Sequence, residues 1–310
     1  MTRILKPAAI VAILLPLIAV PLCAQEESPR SKSGETTEPS IPKVTVIEPG
    51  SEPRTELRYK FQPDADYKMI MEMSMSMAME LAGQKQPKTQ IPTTRSIMTM
   101  HNKEVSSDGN LTYEFELTDT EILPGEGVNP LVVNLMKQQL DATKGMEGSA
   151  TVTPRGLTLS ADFKLPPNVT PQLRSMMDNM RQSIQQMSAP LPEEAVGVGA
   201  VWKIEMPIQM PQMKLTQVAT YKLTKLEGDL AHFDVKITQT APPQKMNPPG
   251  APANIQVQLE SMESSGSGKM QLNLTEVVPT SEMKIETKNT VSAAGQRVKT
   301  DLEMEMKIHQ

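Results

Sequence analysis

The chain has 310 residues, 38% hydrophobic and 22% charged, which is enough for a folded core in one large domain or two smaller ones. With 36 acidic against 31 basic residues the formal charge is −5 and no basic stripe is present, which excludes the charge pattern that nucleic-acid binding needs. Aromatic residues make up only 3%, while methionine, at 24 residues, takes the volume that rings usually fill.

Residues 1–24 read as a secretory signal peptide. Arg3 and Lys6 give the basic start, the apolar run AAIVAILLPLIAVPL follows, and QEESPR brings the charge back. Pro16 and Pro21 break the run, so no transmembrane span is expected in the mature chain. Cleavage after Ala24 removes Cys23, the only cysteine, and with it thiolate catalysis and disulfides. Lipidation of Cys23 is the rival, disfavoured by the bulky Leu22 before it. The expected location is exported, periplasmic or extracellular.

Residues 25–56 are rich in Pro, Ser, Glu and Thr and read as a disordered tether, with KVTVI docking as an edge strand as the alternative. From Leu57 the pattern changes to period two. In YKMIMEMSMSMAMEL, Tyr67, Met69, Met71, Met73, Met75, Met77, Met79 and Leu81 take every odd position. A helix would scatter these around its circumference; a strand places them on one face, directed inward from water. The same alternation marks LTYEFEL, WKIEMPIQM, AHFDVKI and RVKTDLEMEMKIHQ. Turn signals SSDGN, PRG, EGD and AAGQ stand between such runs.

Two helices are expected among the strands. One follows Asn129-Pro130, with Val132, Leu135, Met136, Gln139 and Leu140 as its stripe. The other starts at Thr170-Pro171, with Leu173, Met176, Met177, Met180, Ile184 and Met187. Both should lie on the apolar face of the sheet. The expected fold is therefore mainly β: a long, curved antiparallel sheet, as a half-open barrel or two similar β-rich halves, with two covering helices. The folded domain should span 57–310. A likeness between 106–120 and 225–240 allows tandem halves over 57–187 and 188–310.

Chemistry is sparse. The three histidines, His101, His232 and His309, form no pair and sit away from the methionine run. SSGSGKM has Glu263 and Met270 where a phosphate loop needs Gly and Ser or Thr, and reads as a hairpin loop. No acid–base couple is marked, and neither a catalytic role nor a cofactor or metal is assigned. LPEEAVGVGAVW lacks the third glycine of a dinucleotide fingerprint and reads as a turn that delivers Trp202 to the core.

That last stretch, through Pro192, Glu193, Glu194, Val196, Val198, Gly199 and Trp202, resembles a family of bacterial exported proteins of unknown function that share a signal peptide and a Pro/Glu-rich tether. The resemblance implies a secreted β-rich domain and carries no catalytic residue. The expected architecture is also similar to that of periplasmic lipoprotein carriers. The leading expectation is a non-enzymatic binding module with an apolar groove for a lipid or lipoprotein acyl chain. Its lining would come from Met69, Met71, Met73, Met75, Met77, Met79, Met98, Met100, Met304 and Met306. The alternatives are a structural or interaction protein of the cell envelope with a filled core, and Cu(I) binding by the methionine ladder, since thioethers suit that ion.

Overall fold

A computed structural model describes residues 42–81, 83–123, 125, 130–141, 143–164, 181, 189–210, 213–246, 256–293 and 295–310. The expected signal peptide, the first part of the tether and almost all of the second expected helix lie outside these residues.

The alternating segments form strands, in chain order β1 (Lys43–Glu48), β2 (Asp66–Leu81), β3 (Gln84–Lys85), β4 (Thr89–Val105) and β5 (Leu111–Leu123). After helix α1 (Pro130–Asp141) come β6 (Met146–Val152) and β7 (Thr158–Phe163). The rest are β8 (Val201–Met210), β9 (Met213–Glu227), β10 (Leu230–Ala241), β11 (Gln244–Met246), β12 (Val257–Asn273), β13 (Thr280–Ala293) and β14 (Gln296–His309). They make one open sheet in the order β1-β8-β9-β10-β12-β13-β14-β2-β4-β5-β6-β7, with β3 beside β2 and β11 beside β12. Every pairing is antiparallel.

The path repeats. β2-β4-β5-β6-β7 and β8-β9-β10-β12-β13 are five-stranded meanders, each with an insertion after its third strand: α1 in the first, β11 in the second. β14 joins them, pairing β13 on one side and β2 on the other. Its link to β2 spans most of the sequence: Lys299 reaches Glu80, 219 positions away, at 3.0 Å. The four turn signals each connect neighbouring strands. Between β9 and β10 the loop is Gly228-Asp229, and Gly228, with φ 59°, supplies the left-handed conformation that a two-residue hairpin demands.

Paired residues share a face, so the register sorts the side chains into an inner and an outer set. The inner set carries the cores. Trp202, Ile204, Tyr221, Leu223, Phe233, Val235 and Met283 form the largest. Leu215, Leu259, Val291 and Val298 form a second along the same strands, and Met100, Phe115, Ala150, Ala161 and Val278 a third on the other meander. One end of the sheet is stoppered by the chain itself. Residues 49–65 run across it, with Ser51 N–H donating to Val198, Tyr59 N–H to Pro154, Lys60 N–H to Leu274 and Asp64 N–H to Asn102. Leu57 and Phe61 drop from this segment into the cores and are buried. Arg58 donates to the carbonyls of Pro192 and Glu193, and Arg155 to that of Leu191 and to the Glu193 carboxylate, which ties 191–193 to the same end.

Four expectations are corrected. The described residues show one short helix, α1, that does not cover the sheet; the second expected helix lies outside them except for Arg181, which is helical. α1 packs chiefly against β5, and Val132 of its expected stripe is 39% exposed; a helix this short cannot span a sheet of long strands. The folded part begins before residue 57, because KVTVI pairs with β8 as an edge strand and residues 49–56 clasp the segment after Pro192. Gly266 and Gly268 sit inside β12 and not in a hairpin loop. A Cβ at Gly268 would overlap Met283, whose thioether fills the space that glycine leaves. Lastly, the methionine face of β2 is not sheltered throughout, as described next.

Candidate functional site: the inner face of the sheet

The β2 methionines all lie on the inner face. The register sets Met73 opposite Met306 and Met75 opposite Met304 on β14, and Met69 opposite Met98 on β4. Tyr67 faces Met100. The ten expected residues thus gather on three adjacent strands, but they divide in two. Met100 is buried with Phe115 and Val278, and Met69 and Met98 pack against that core while only partly buried. Met77 is 6% exposed. Met71, Met73, Met75, Met79, Met304 and Met306 are half-buried. On the same inner face of β8–β10, by contrast, Trp202, Ile204, Ala219, Tyr221, Phe233 and Val235 are buried. The ladder therefore runs along a partly exposed apolar surface between the cores, about 6.6 Å per methionine step along β2.

Sequence reasoning missed a polar row that adjoins this surface. On β9 and β10 the inner face breaks its apolar run at Gln217 and Gln239, and the Gln239 amide donates to the Gln217 carbonyl oxygen at 2.7 Å. On β12 and β13 the same row continues as Ser264 and Thr287, joined by a 2.9 Å hydrogen bond. Thr287 pairs with Leu302, which in turn pairs with Met77. The signal was available: an amide stands at an apolar position in each of two alternating strands. Its meaning depended on the register that aligns the two.

The outer face is charged on every long strand. Lys203, Lys222, Asp234, Lys269, Lys284, Lys307, Glu72, Arg95 and Glu116 all project there by register. Several pair across strands: Arg95 with Glu72 at 2.7 Å and Glu121 at 3.2 Å, Lys88 with Glu303 at 2.9 Å, and Lys299 with Glu80 at 3.0 Å. The hydrogen bond from Lys88 holds the Glu303 carboxyl below the usual range. Exposed pairs of this kind each contribute little, but a one-residue slip would break all of them and turn the methionines outward. A Lys or Arg costs about 2–4 kcal/mol at a bilayer midplane, so this face belongs in water. Among the described residues no helix is long and apolar enough to cross a membrane.

A shallow outer groove of about 540 Å³ collects Asp66, Lys68, His101, Glu114, Glu116, Glu147 and Lys164. His101 contacts Asp66 at 2.7 Å, Lys164 contacts Glu147 at 2.7 Å, and Lys103 contacts Glu114 at 3.4 Å. One form of acid–base couple is a pair of carboxyls in unlike environments. Glu114 and Glu147 are instead alike: lysine-paired and 40% and 45% exposed.

All four tyrosines resist ionisation. Burial pushes Tyr113 and Tyr221 up to about 12 and Tyr59 higher still, and burial followed by the nearby Glu276 raises Tyr67. A phenol raised in the fold stabilises it fully below the unfolded value, and that stability is lost as pH climbs through the folded value. The sheet should therefore hold to about pH 10 and unravel toward about pH 12. In an alkaline titration, tyrosinate absorbance should rise together with loss of the circular-dichroism sheet signal. Tyrosinate forming at its ordinary pH with the sheet intact would contradict this packing.

Residues 175–279 match a family of unknown function (DUF6263). The matched span holds Pro192–Trp202 and β8 to β12. In that stretch Gly199 adopts φ 89° and the chain turns so that Trp202 enters the core at 1% exposure. No curated protein matches the chain. Among solved structures, OccAB4 of Acinetobacter baumannii is similar at 9% identity over 80% of this chain and 99% of that one, with a TM-score of 0.20. OmpT, an outer membrane protein of Vibrio cholerae, is similar at 6% identity over 79% and 100%, with a TM-score of 0.19. Likenesses at this level carry no argument about this chain.

Proposed function

We propose that the protein is an exported, non-enzymatic binding module that takes an apolar molecule, such as a lipid or lipoprotein acyl chain, against the methionine-bearing inner face. The observation that carries this reading is the partial exposure of Met71, Met73, Met75, Met304 and Met306 on the same face that buries Trp202, Tyr221, Phe233 and Val235. Flexible thioethers can close around ligands of irregular shape, and a wholly filled core would have no reason to leave them open.

Protein purified from its own host should release lipid on organic extraction, and should bind the apolar dye N-phenyl-1-naphthylamine. Met75→Glu and Met304→Glu each place a charge on the inner face, and should weaken dye binding by about tenfold or more, equivalent to about 1.4 kcal/mol. Thr216→Glu on the outer face should not. An empty extract together with unbound dye would defeat the proposal.

The register favours Cu(I) as a second reading. Met73 and Met75 directly oppose Met306 and Met304, with Cβ atoms of such pairs about 4.5–5.5 Å apart, so sulfurs from two strands can reach one soft ion. Cu(I) titration under reducing conditions decides it: affinity no greater than that of free methionine removes the case.

A further inference from the structure

Each charged side chain on the strands around the methionine surface projects to the opposite face. Along β2 the inner positions hold only Tyr67, the six methionines and Leu81, while Lys68, Glu72 and Glu80 face outward. On β14 the inner residues are Val298, Thr300, Leu302, Met304, Met306 and Ile308, and the charges at 299, 301, 303, 305 and 307 are outward. β13 repeats this, with Glu282, Lys284, Glu286 and Lys288 outward. What the inner face does offer is neutral hydrogen bonding, in the Gln217–Gln239 and Ser264–Thr287 pairs. The row they form meets the methionine surface through Leu302 and Met77.

We infer that the ligand is an uncharged amphiphile, its chain lying along Met71, Met73, Met75, Met304 and Met306 and its hydroxyl, amide or ester end meeting the partly exposed Gln217, Gln239 and Thr287 of the row. This rests on the apolar-ligand reading and narrows it. An ionised carboxylate or phosphate brought to this surface would be stripped of water with no cation among the described inner-face residues of these strands to receive it, which is costly. A neutral donor or acceptor exchanges its water for the amides and hydroxyls of the row at little cost.

The test is displacement of N-phenyl-1-naphthylamine from the full chain by three ligands of equal length, each below its micelle threshold: hexadecanol, palmitate at pH 8 and hexadecyltrimethylammonium. Hexadecanol should displace the dye at concentrations at least about tenfold lower than either ion. Gln239→Leu and Thr287→Val, each checked for native sheet signal, should shrink that preference while the dye itself stays bound. Palmitate or the ammonium displacing as well as hexadecanol overturns the inference and leaves the apolar-ligand reading standing. A preference unchanged in both variants also overturns it. Failure of the dye and all three ligands to bind removes both.

Discussion

Trp202→Ala is expected to destabilise the protein by about 3–5 kcal/mol, the usual cost of emptying a buried indole site. Trp202 is 1% exposed. It stacks on Tyr221 at 5.8 Å and 11° and meets Phe233 edge-on at 5.6 Å and 83°. Tyr221 and Phe233 also pack edge-on at 6.4 Å, so three of the chain's few rings form one cluster across β8, β9 and β10. Single domains have about 5–15 kcal/mol in total, so the loss is a large fraction and should show as a clear fall in the urea midpoint. The change removes the only tryptophan, so the readout is far-ultraviolet circular dichroism. Trp202→Phe keeps part of the stacking and should lose less. A midpoint within error of wild type would mean that this cluster does not hold the sheet.

Gly197→Ala should cost about 3 kcal/mol, toward the upper end for overpacking, because the collision is with backbone. A Cβ there would overlap the Ser51 carbonyl oxygen and press on the Pro53 carbonyl. The strands of this clasp are close because Gly197 N–H donates to Pro49, Val196 and Thr55 exchange hydrogen bonds, and Ser51 N–H donates to Val198. To admit the methyl group, residues 49–55 must lift, and Leu57 is pulled from the main core with them. Limited proteolysis should then cut between residues 49 and 56 at protease levels that leave wild type whole. Val198→Ala, at an exposed position two residues from the Val196 bridge, serves as the control and should stay resistant. Equal resistance in the Gly197 variant would show that the clasp tolerates a side chain there.

The two effects bear on different layers of the sequence. Trp202 was legible, because a large ring at the head of an alternating run has one destination. Gly197 was not. Its constraint comes from Ser51, far away in sequence, in a segment rich in Pro, Ser, Glu and Thr that by composition has little to bury. What composition misses is that Leu57 and Phe61 suffice as anchors once backbone hydrogen bonds to Pro154 and Leu274 satisfy the chain between them. The candidate site was half legible for a similar reason. Period two placed the β2 methionines on one face. It could not tell Met100, packed against Phe115, from Met75, half-open opposite Met304.

By itself, then, the sequence determined the faces and the turns. Side chains in a strand alternate with a period of two, and glycine alone takes the left-handed turn positions without strain. Which strands are neighbours was settled by folding. β14 beside β2, β1 beside β8, and the amides of β9 and β10 aligned with the hydroxyls of β12 and β13 are pairings between distant segments. Alternation is equally compatible with many partners, and the choice falls to whichever register buries the most apolar area with every backbone group hydrogen-bonded.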